Sequence, residues 1–309
     1  MEFIIRRMGR EDWAEVGELI YTSINYWYHT HGSGPKFLNG PESTQLFCKI
    51  YEDLDPGCCI LVENPNTGRI AGSCFFHPRE THISIGIMNV HPNYFGLGAA
   101  KVIMREIMDI AATEEKPVRL VSSAMNLDSF TLYNRCGFTP RQTFQDMYIE
   151  VPSSGLNVEA PALSGNVRDA QPEDATAIAD LEQELVGIRR EGDFAYFIEN
   201  TDKWWHGSVI ENENGYIDGF LFSVSNAASN ILGPGVARTE EQTLALLHAE
   251  LNHNTGRSPV FLVPTDCRQL VDNLYGWGAR NCELHFSQTL GEWNPQTGII
   301  MPTFMPETG

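Results

Sequence analysis

Two glycines set one residue apart, Gly96 and Gly98, mark where this chain is equipped to hold an anion. They belong to the segment Val90-His91-Pro92-Asn93-Tyr94-Phe95-Gly96-Leu97-Gly98-Ala99-Ala100. An apolar stretch of strand length, Ile83 to Val90, runs into it. A helical pattern leaves it, with Val102, Ile103, Ile107, Ile110 and Ala111 at core-facing spacings and Lys101, Arg105 and Asp109 on the opposite face. Glycine lets the backbone turn tightly and come close to a ligand. The first amides of a helix have no internal partner and point outward at the positive end of the helix dipole. The chemistry implied is phosphate binding. The segment is not a dinucleotide fingerprint, which needs a third glycine and an acid about 20 residues further on. Nor is Gly98-Ala99-Ala100 the Gly-Lys-Ser/Thr ending of a nucleotide-binding P-loop.

A second motif follows. Val118-Arg119-Leu120-Val121 reads as a strand, and Asn126-Leu127-Asp128-Ser129-Phe130-Thr131-Leu132-Tyr133-Asn134-Arg135-Cys136-Gly137-Phe138 as a short helix opening into another strand. Together the two motifs resemble those of the Gcn5-related N-acetyltransferases, the GNAT family. In that family a Gln/Arg-x-x-Gly-x-Gly/Ala loop binds acetyl-CoA, and an Asn precedes a helix bearing Leu-Tyr. Asn93 stands where the family usually has Gln or Arg. The resemblance implies that acetyl-CoA is the co-substrate, held by Met88, Asn89, Val90, Asn93, Tyr94, Phe95, Gly96, Leu97, Gly98 and Ala99, with Asn126 on the pantetheine arm. It also implies that Tyr133 sits by the thioester sulfur as the catalytic residue. The chemistry agrees: a departing thiolate, whose thiol has pKa of roughly 8.5, can take a proton from a phenol of pKa about 10. Cys136 invites a nucleophile reading, but direct transfer requires no covalent enzyme intermediate, and a free cysteine ordinarily behaves as a small hydrophobe.

On the acceptor side the resemblance implies the first helix pair and the strand before the loop. The residues there are Tyr26, Trp27 and His31, with Tyr28 between, and the strand residues His82 and Ser84. The three aromatics suit either a cage for a cationic amine or a helix end packed on the core. An alkylammonium, pKa about 10.4, must lose a proton before it attacks. His82, His31, His91 and Glu80 are all candidate acceptors of that proton. The expected acceptor is a small-molecule or side-chain primary amine. The competing class is a non-catalytic acyl-CoA-binding sensor or scaffold, which would have no use for a proton donor at Tyr133.

Composition sets the limits. The chain has 309 residues and 42% hydrophobic content, and its net charge is −19. So acidic a chain is a poor partner for nucleic acid, which needs clustered Lys and Arg, and its long-range field favours cations. A phosphate site in such a field must be locally positive, for which Lys101, Arg105, Arg79 and Arg135 are candidates. No apolar run reaches the roughly 18 residues of a membrane span, so no membrane partner is expected. Met1-Glu2-Phe3-Ile4-Ile5-Arg6-Arg7 does not read as a signal peptide. The seven cysteines have no metal-ligand spacing, so free thiols, no metal and a cytoplasmic setting are expected.

The second half repeats the first. Arg6, Glu11 and Asp12 recur at the same spacing as Arg168, Glu173 and Asp174. The hairpin Val62 to Gly72, with its Asn-rich turn, recurs as Ile210 to Gly219, and Leu132-Tyr133 recurs as Leu274-Tyr275. Where the second copy should carry the glycine loop it has Thr239-Glu240-Glu241: a helix cap and two carboxylates where a pyrophosphate would sit. The expected organisation is a GNAT domain over 1–152, a linker over 153–165, a degenerate GNAT-like domain over 166–292 and an extended tail over 293–309. The expected fold class is α+β (α/β mixed sheet): two tandem acyl-CoA N-acyltransferase folds, each a mixed, mostly antiparallel sheet flanked by helices. The second copy is expected to serve as an acceptor-site wall, a dimer surface (a possible homodimer) or a brace.

Overall fold

The computed structural model describes residues 2–307; Met1, Thr308 and Gly309, the last two of them the end of the expected tail, lie outside the described residues. The chain forms two compact units. The first gathers the described parts of Met1–Pro78, His82–Val118 and Met305–Thr308. Its strands β1 (Ile4–Arg7), β2 (Cys59–Glu63), β3 (Ile70–Pro78) and β4 (Ile83–Val90) pair antiparallel in that order. Its helices are α1 (Trp13–Thr30), α2 (Gln45–Leu54) and α3 (Ala99–Thr113). Strand β3 is buried along nearly its whole length, which its apolar residues permit on both faces. Ile103, Met104, Ile107 and Ala111 make the buried face of α3.

The second unit comprises Arg79–Thr81, most of the chain from Arg119 to Phe304, and therefore both sides of the expected linker. Its elements are β5 (Val118–Ser123), α4 (Leu127–Arg135), β6 (Thr139–Tyr148), β7 (Val167–Asp169), α5 (Ala175–Val186), α6 (Glu191–Glu199), β8 (Trp205–Glu211), β9 (Ile217–Asn226), β10 (Ser229–Ala237), α7 (Glu240–His253), β11 (Val260–Pro264), α8 (Arg268–Gly276), β12 (Arg280–Leu290) and β13 (Ile299–Met301). Strand order is β5-β12-β6-β11-β10-β9-β8-β7. Strand β6, from the first half of the sequence, therefore lies between β11 and β12 of the second half, antiparallel to both. Met147 and Ile149 enter the same buried cluster as Leu247, Phe261, Leu270 and Leu274. Parallel pairing of β10 with β11 covers only Ile231↔Val260 and Leu232↔Phe261, after which β13 takes up the rest of β10, from Gly235↔Met301 to Ala237↔Ile299. These are mixed, mostly antiparallel sheets with flanking helices, as the two repeats imply.

The repeat is built as well as spelled. Arg6 Nη1 meets Asp12 Oδ2 at 2.7 Å and its Nε meets Glu63 at 2.9 Å. Arg168 does the same with Asp174 at 2.7 Å and with Glu211 through Nε at 2.7 Å. Each Asp also accepts the backbone N–H three residues before it, Gly9 at 2.8 Å and Gln171 at 2.7 Å. No described helix is long and apolar enough to cross a membrane.

Candidate active site

The phosphate loop is a chain of short local decisions. Strand β4 ends at Val90, and the Nδ1 of His91 accepts the N–H of Asn93 at 3.2 Å. One turn of 3-10 helix, Pro92–Tyr94, follows. Gly96 and Gly98 then take φ of 74° and 92°, a left-handed backbone that L side chains rarely adopt, so glycine is required at both. A Cβ built on either would meet nothing within 4 Å, so the space beside both glycines is open. Gly98 caps α3, whose first internal bond is Val102 N–H to Gly98 C=O at 3.1 Å. The amides of Ala99, Ala100 and Lys101 thus precede that bond and are helix-end donors. Phe95 and Leu97 are about half exposed on either side of Gly96. Tyr94 is held from behind by Asn64 Nδ2 at 3.1 Å. What such a loop can do is bind an anion with backbone N–H groups alone.

On the strand leading in, Met88 and Val90 are half-buried, whereas the side chain of Asn89 turns inward to accept Ser23 Oγ of α1 at 2.6 Å. Asn89 Nδ2 and Ser73 Oγ, on paired residues of β4 and β3, are buried polar atoms that find no protein partner. Lys101 and Arg105 are exposed on α3, and Arg135 is exposed on α4. Arg79 corrects the expectation that it helps make a positive phosphate site. It is buried and committed to Asp193, 2.7 Å away in the second unit.

Asn126 and Tyr133 belong to the second unit. Asn126 is the N-cap of α4 and its Oδ1 accepts Ser129 N–H at 3.0 Å. Tyr133 is the buried residue of that helix, its ring 6.0 Å from that of Phe138. Its repeat partner Tyr275 is 46% exposed, with its hydroxyl taken by Gln145 at 3.2 Å and by Asn281 at 2.8 Å. Only the first copy keeps its tyrosine inside.

The expected acceptor residues lie on two different elements of the first unit. Tyr26, Trp27 and His31 close α1; Trp27 stacks on His31 at 4.1 Å, and His31 Nδ1 bonds the Trp27 carbonyl at 2.7 Å. The neighbouring Tyr28 already carries a cation, Lys36 Nζ, 4.2 Å from its ring centre. His82 and Ser84, fully buried where β4 starts, bond each other at 3.1 Å.

Three groups escaped sequence reasoning. Asp146, Glu283 and His285 converge in the second unit, close enough to hold a metal ion. His285 Nδ1 lies 2.8 Å from Asp146, and Glu283 is bonded by the Ser123 hydroxyl. In the same unit, Glu250 is buried and accepts from Ser208 and Ser223 at 2.6 Å, with His206 Nδ1 at 2.8 Å. In the first unit, Tyr51 Oη donates to Glu307 at 2.5 Å. Residues far apart in sequence make up each group, so no local spacing betrays them. No disulfide joins the described cysteines.

In the second copy the equivalent of the phosphate loop is closed from within. Thr239 caps α7 in a reciprocal capping box with Gln242. The Glu240 carboxylate accepts the Leu270 N–H, in the first turn of α8, at 2.6 Å. Of the first amides of α7, that of Gln242 is taken by Thr239 Oγ1 at 3.2 Å, and the Glu240 carboxylate beside it is tied to α8.

A model of the acetyltransferase (GNAT) family matches residues 24–138, and one of an acetyltransferase (GNAT) domain matches 178–283. A putative acetyltransferase from Pyrococcus horikoshii is similar over 98% of this chain and 95% of its own, with 15% identity and a TM-score of 0.73. A GCN5-related N-acetyltransferase from Sphaerobacter thermophilus gives 18% identity, 93% and 95% coverage, and a TM-score of 0.64. A tandem GNAT protein from the clavulanic acid biosynthesis pathway, solved without AcCoA, gives 13% identity, 95% and 100% coverage, and 0.61. At such identities the likeness is one of fold. No curated protein matches the chain.

Proposed function

The chain belongs to the GNAT acetyltransferase family, and from that premise we propose that it is an acetyl-CoA-dependent N-acetyltransferase that passes the acetyl group directly to a primary amine. The observation that carries this reading is the loop at Gly96 and Gly98. It combines two left-handed glycines with open space beside them and the helix-end amides of α3. Residues Met88–Val90 and Asn93–Ala99 hold the co-substrate, with Asn126 on the pantetheine arm.

In this reading the amine lone pair attacks the acyl carbon. The C–N bond forms, the C–S bond breaks, and the electron pair goes to sulfur. Tyr133 supplies the proton that the thiolate takes as it leaves, and its phenol is restored by the proton that the new amide nitrogen sheds. Burial of Tyr133 in α4 supports the role, because a general acid works best where bulk water does not compete for the proton. The acceptor class is a cationic amine, which a chain of net charge −19 attracts at long range.

Calorimetry with acetyl-CoA tests the co-substrate, with one equivalent bound per chain as the expected result. Two equivalents would show that the second copy binds as well. Thiol release, measured against a panel of diamines, amino sugars and lysine-ended peptides, tests the acceptor class. For a cationic acceptor kcat/KM falls as salt shortens the screening length, about 8 Å at physiological ionic strength.

A further inference from the structure

Strand β4 carries an irregularity just before the residues given above to the co-substrate. Its register with β3 runs Phe76↔Ile85 and then Cys74↔Met88, so Gly86 and Ile87 together face the single residue Phe75. This is a β-bulge, which takes a backbone amide out of the ladder and bends the strand. A side chain at Gly86 could not be accommodated, since a Cβ there would stand 2.7 Å from His77 Nε2. The Ile87 N–H released by the bulge donates to a carboxylate from the far end of the sequence, that of Glu307. The carboxylate also accepts the Tyr51 hydroxyl at 2.5 Å and its own backbone N–H. Tyr51 is fixed among aromatic edges, 4.7 Å from Phe75 and 4.8 Å from His77, and His77 is in turn held by Asp55 at 2.6 Å.

We propose that Glu307 is the general base of the amine transfer, held at the β4 bulge by Ile87 N–H and by Tyr51 as its positioning residue. This rests on the acetyltransferase reading above. Glu307 as a residue is half-buried. Among the described residues the groups that face it are the Tyr51 phenol, the Cys74 thiol and the Ile87 and Glu307 amides, with the Cys48 thiol behind Tyr51, and none of these is a cation. Burial therefore pushes its carboxyl up to about 8, against the three hydrogen bonds that lower it. A base with that affinity holds a proton taken from an ammonium and gives it up to solvent near neutral pH. The Tyr51 phenol is pushed well above its ordinary value, so it stays protonated and donates. In the step proposed, the Glu307 carboxylate accepts one proton from R–NH3+, leaving R–NH2 to form the C–N bond, and later releases that proton to water. The thiolate leaves with the proton that the general acid supplies, so one proton is liberated per turnover.

The test compares the wild type with Glu307→Gln and Tyr51→Phe. It uses acetyl-CoA and whichever amine of the panel the wild type acetylates fastest, over pH 6 to 10. In the wild type kcat/KM rises through about 8 as Glu307 ionises. Glu307→Gln is expected to lose that limb and to fall about 10²-fold or more, with acetyl-CoA affinity by calorimetry unchanged. Tyr51→Phe removes a bond that stabilises the carboxylate, so its limb moves to higher pH. A Glu307→Gln enzyme that keeps the wild-type rate and limb overturns the proposal. If that variant fails to fold, Tyr51→Phe decides: an unmoved limb overturns the proposal and a raised one supports it. A wild type that neither binds acetyl-CoA nor acetylates any amine overturns the acetyltransferase reading, and the base with it.

Discussion

The two copies of the repeat place a helix N-terminus after a strand and then treat it in opposite ways. In the first copy the turn is made by Gly96 and Gly98, left-handed with open space beside them, and the amides of Ala99 to Lys101 precede the first internal bond of α3. In the second, Thr239 and Gln242 consume the cap of α7, and Glu240 spends its charge on the Leu270 amide of α8. Strand β13 also fills the side of β10 where β11 leaves it. A helix end can serve as a ligand site only where the chain leaves it unsatisfied. The tyrosines follow suit: Tyr133 is buried, whereas Tyr275 is exposed and hydrogen-bonded to its own unit.

The strongest way to break this comparison is at the tyrosines. Tyr133→Phe keeps the ring and removes the hydroxyl, and general acid catalysis is worth about 10²–10⁴-fold, so turnover should drop on that scale while acetyl-CoA affinity stays. Tyr275→Phe should leave turnover unchanged. Equal losses in steady-state kinetics would show that the copies share the chemistry.

A smaller effect tests what the copies have in common. Asp12→Asn and Asp174→Asn should each cost about 1.5–3 kcal/mol, the worth of hydrogen bonds to a charged group, measured by urea unfolding. Arg6 holds the Asp12 carboxyl below its ordinary 3.8, with Gly9 N–H assisting against burial. At Asp174 burial pushes upward, and Arg168 with the Gln171 amide outweighs it. Both folded values are depressed, so this stability is complete above about pH 3.8 and lost as pH falls through the lower folded value. Each Asn variant should lose part of that acid slope, and a variant that keeps all of it would show the pair to be idle.

Smaller still, Gly96→Val should weaken acetyl-CoA binding by about tenfold, or about 1.4 kcal/mol, through a β-branched residue forced to positive φ. Glu240→Ala should leave binding unchanged and lower stability by about 1 kcal/mol, because the Leu270 amide loses its acceptor. Tighter or doubled acetyl-CoA binding in Glu240→Ala would show that one carboxylate alone had silenced the second copy.

How much of this the sequence displays depends on how far apart the partners lie. Strand β4, the loop and α3 follow from contiguous patterns, and so do the Thr239 cap and the Arg–Asp pairs six residues apart. Hairpin turns at Asn64 and Asn212 repeat the same side-chain bond, to Asn66 N–H and to Asn214 N–H, both at 2.9 Å. Tyr51 and Glu307 are separated by 256 positions, and Asp146 and His285 by 139. No periodicity encodes such meetings; they are set by which strand lands beside which. Arg79 shows the converse, since its type suited a phosphate site but the fold had given it Asp193. Tyr28 likewise suited a cation and had already found Lys36.

The seating of β6 bears on how this protein comes into being. Both strands that flank it, β11 and β12, lie in the second half, and β12 opens at Arg280, roughly 130 residues after β6 closes at Tyr148. At synthesis rates of roughly 5–20 residues per second, that interval is on the order of ten seconds. Through it, Phe144 and Met147 wait on a strand with two raw edges, the kind of surface that invites pairing with a stranger. A nascent first half is therefore a client for chaperones rather than a finished module, and gene fragments ending before β12 should yield aggregates where the whole chain yields protein.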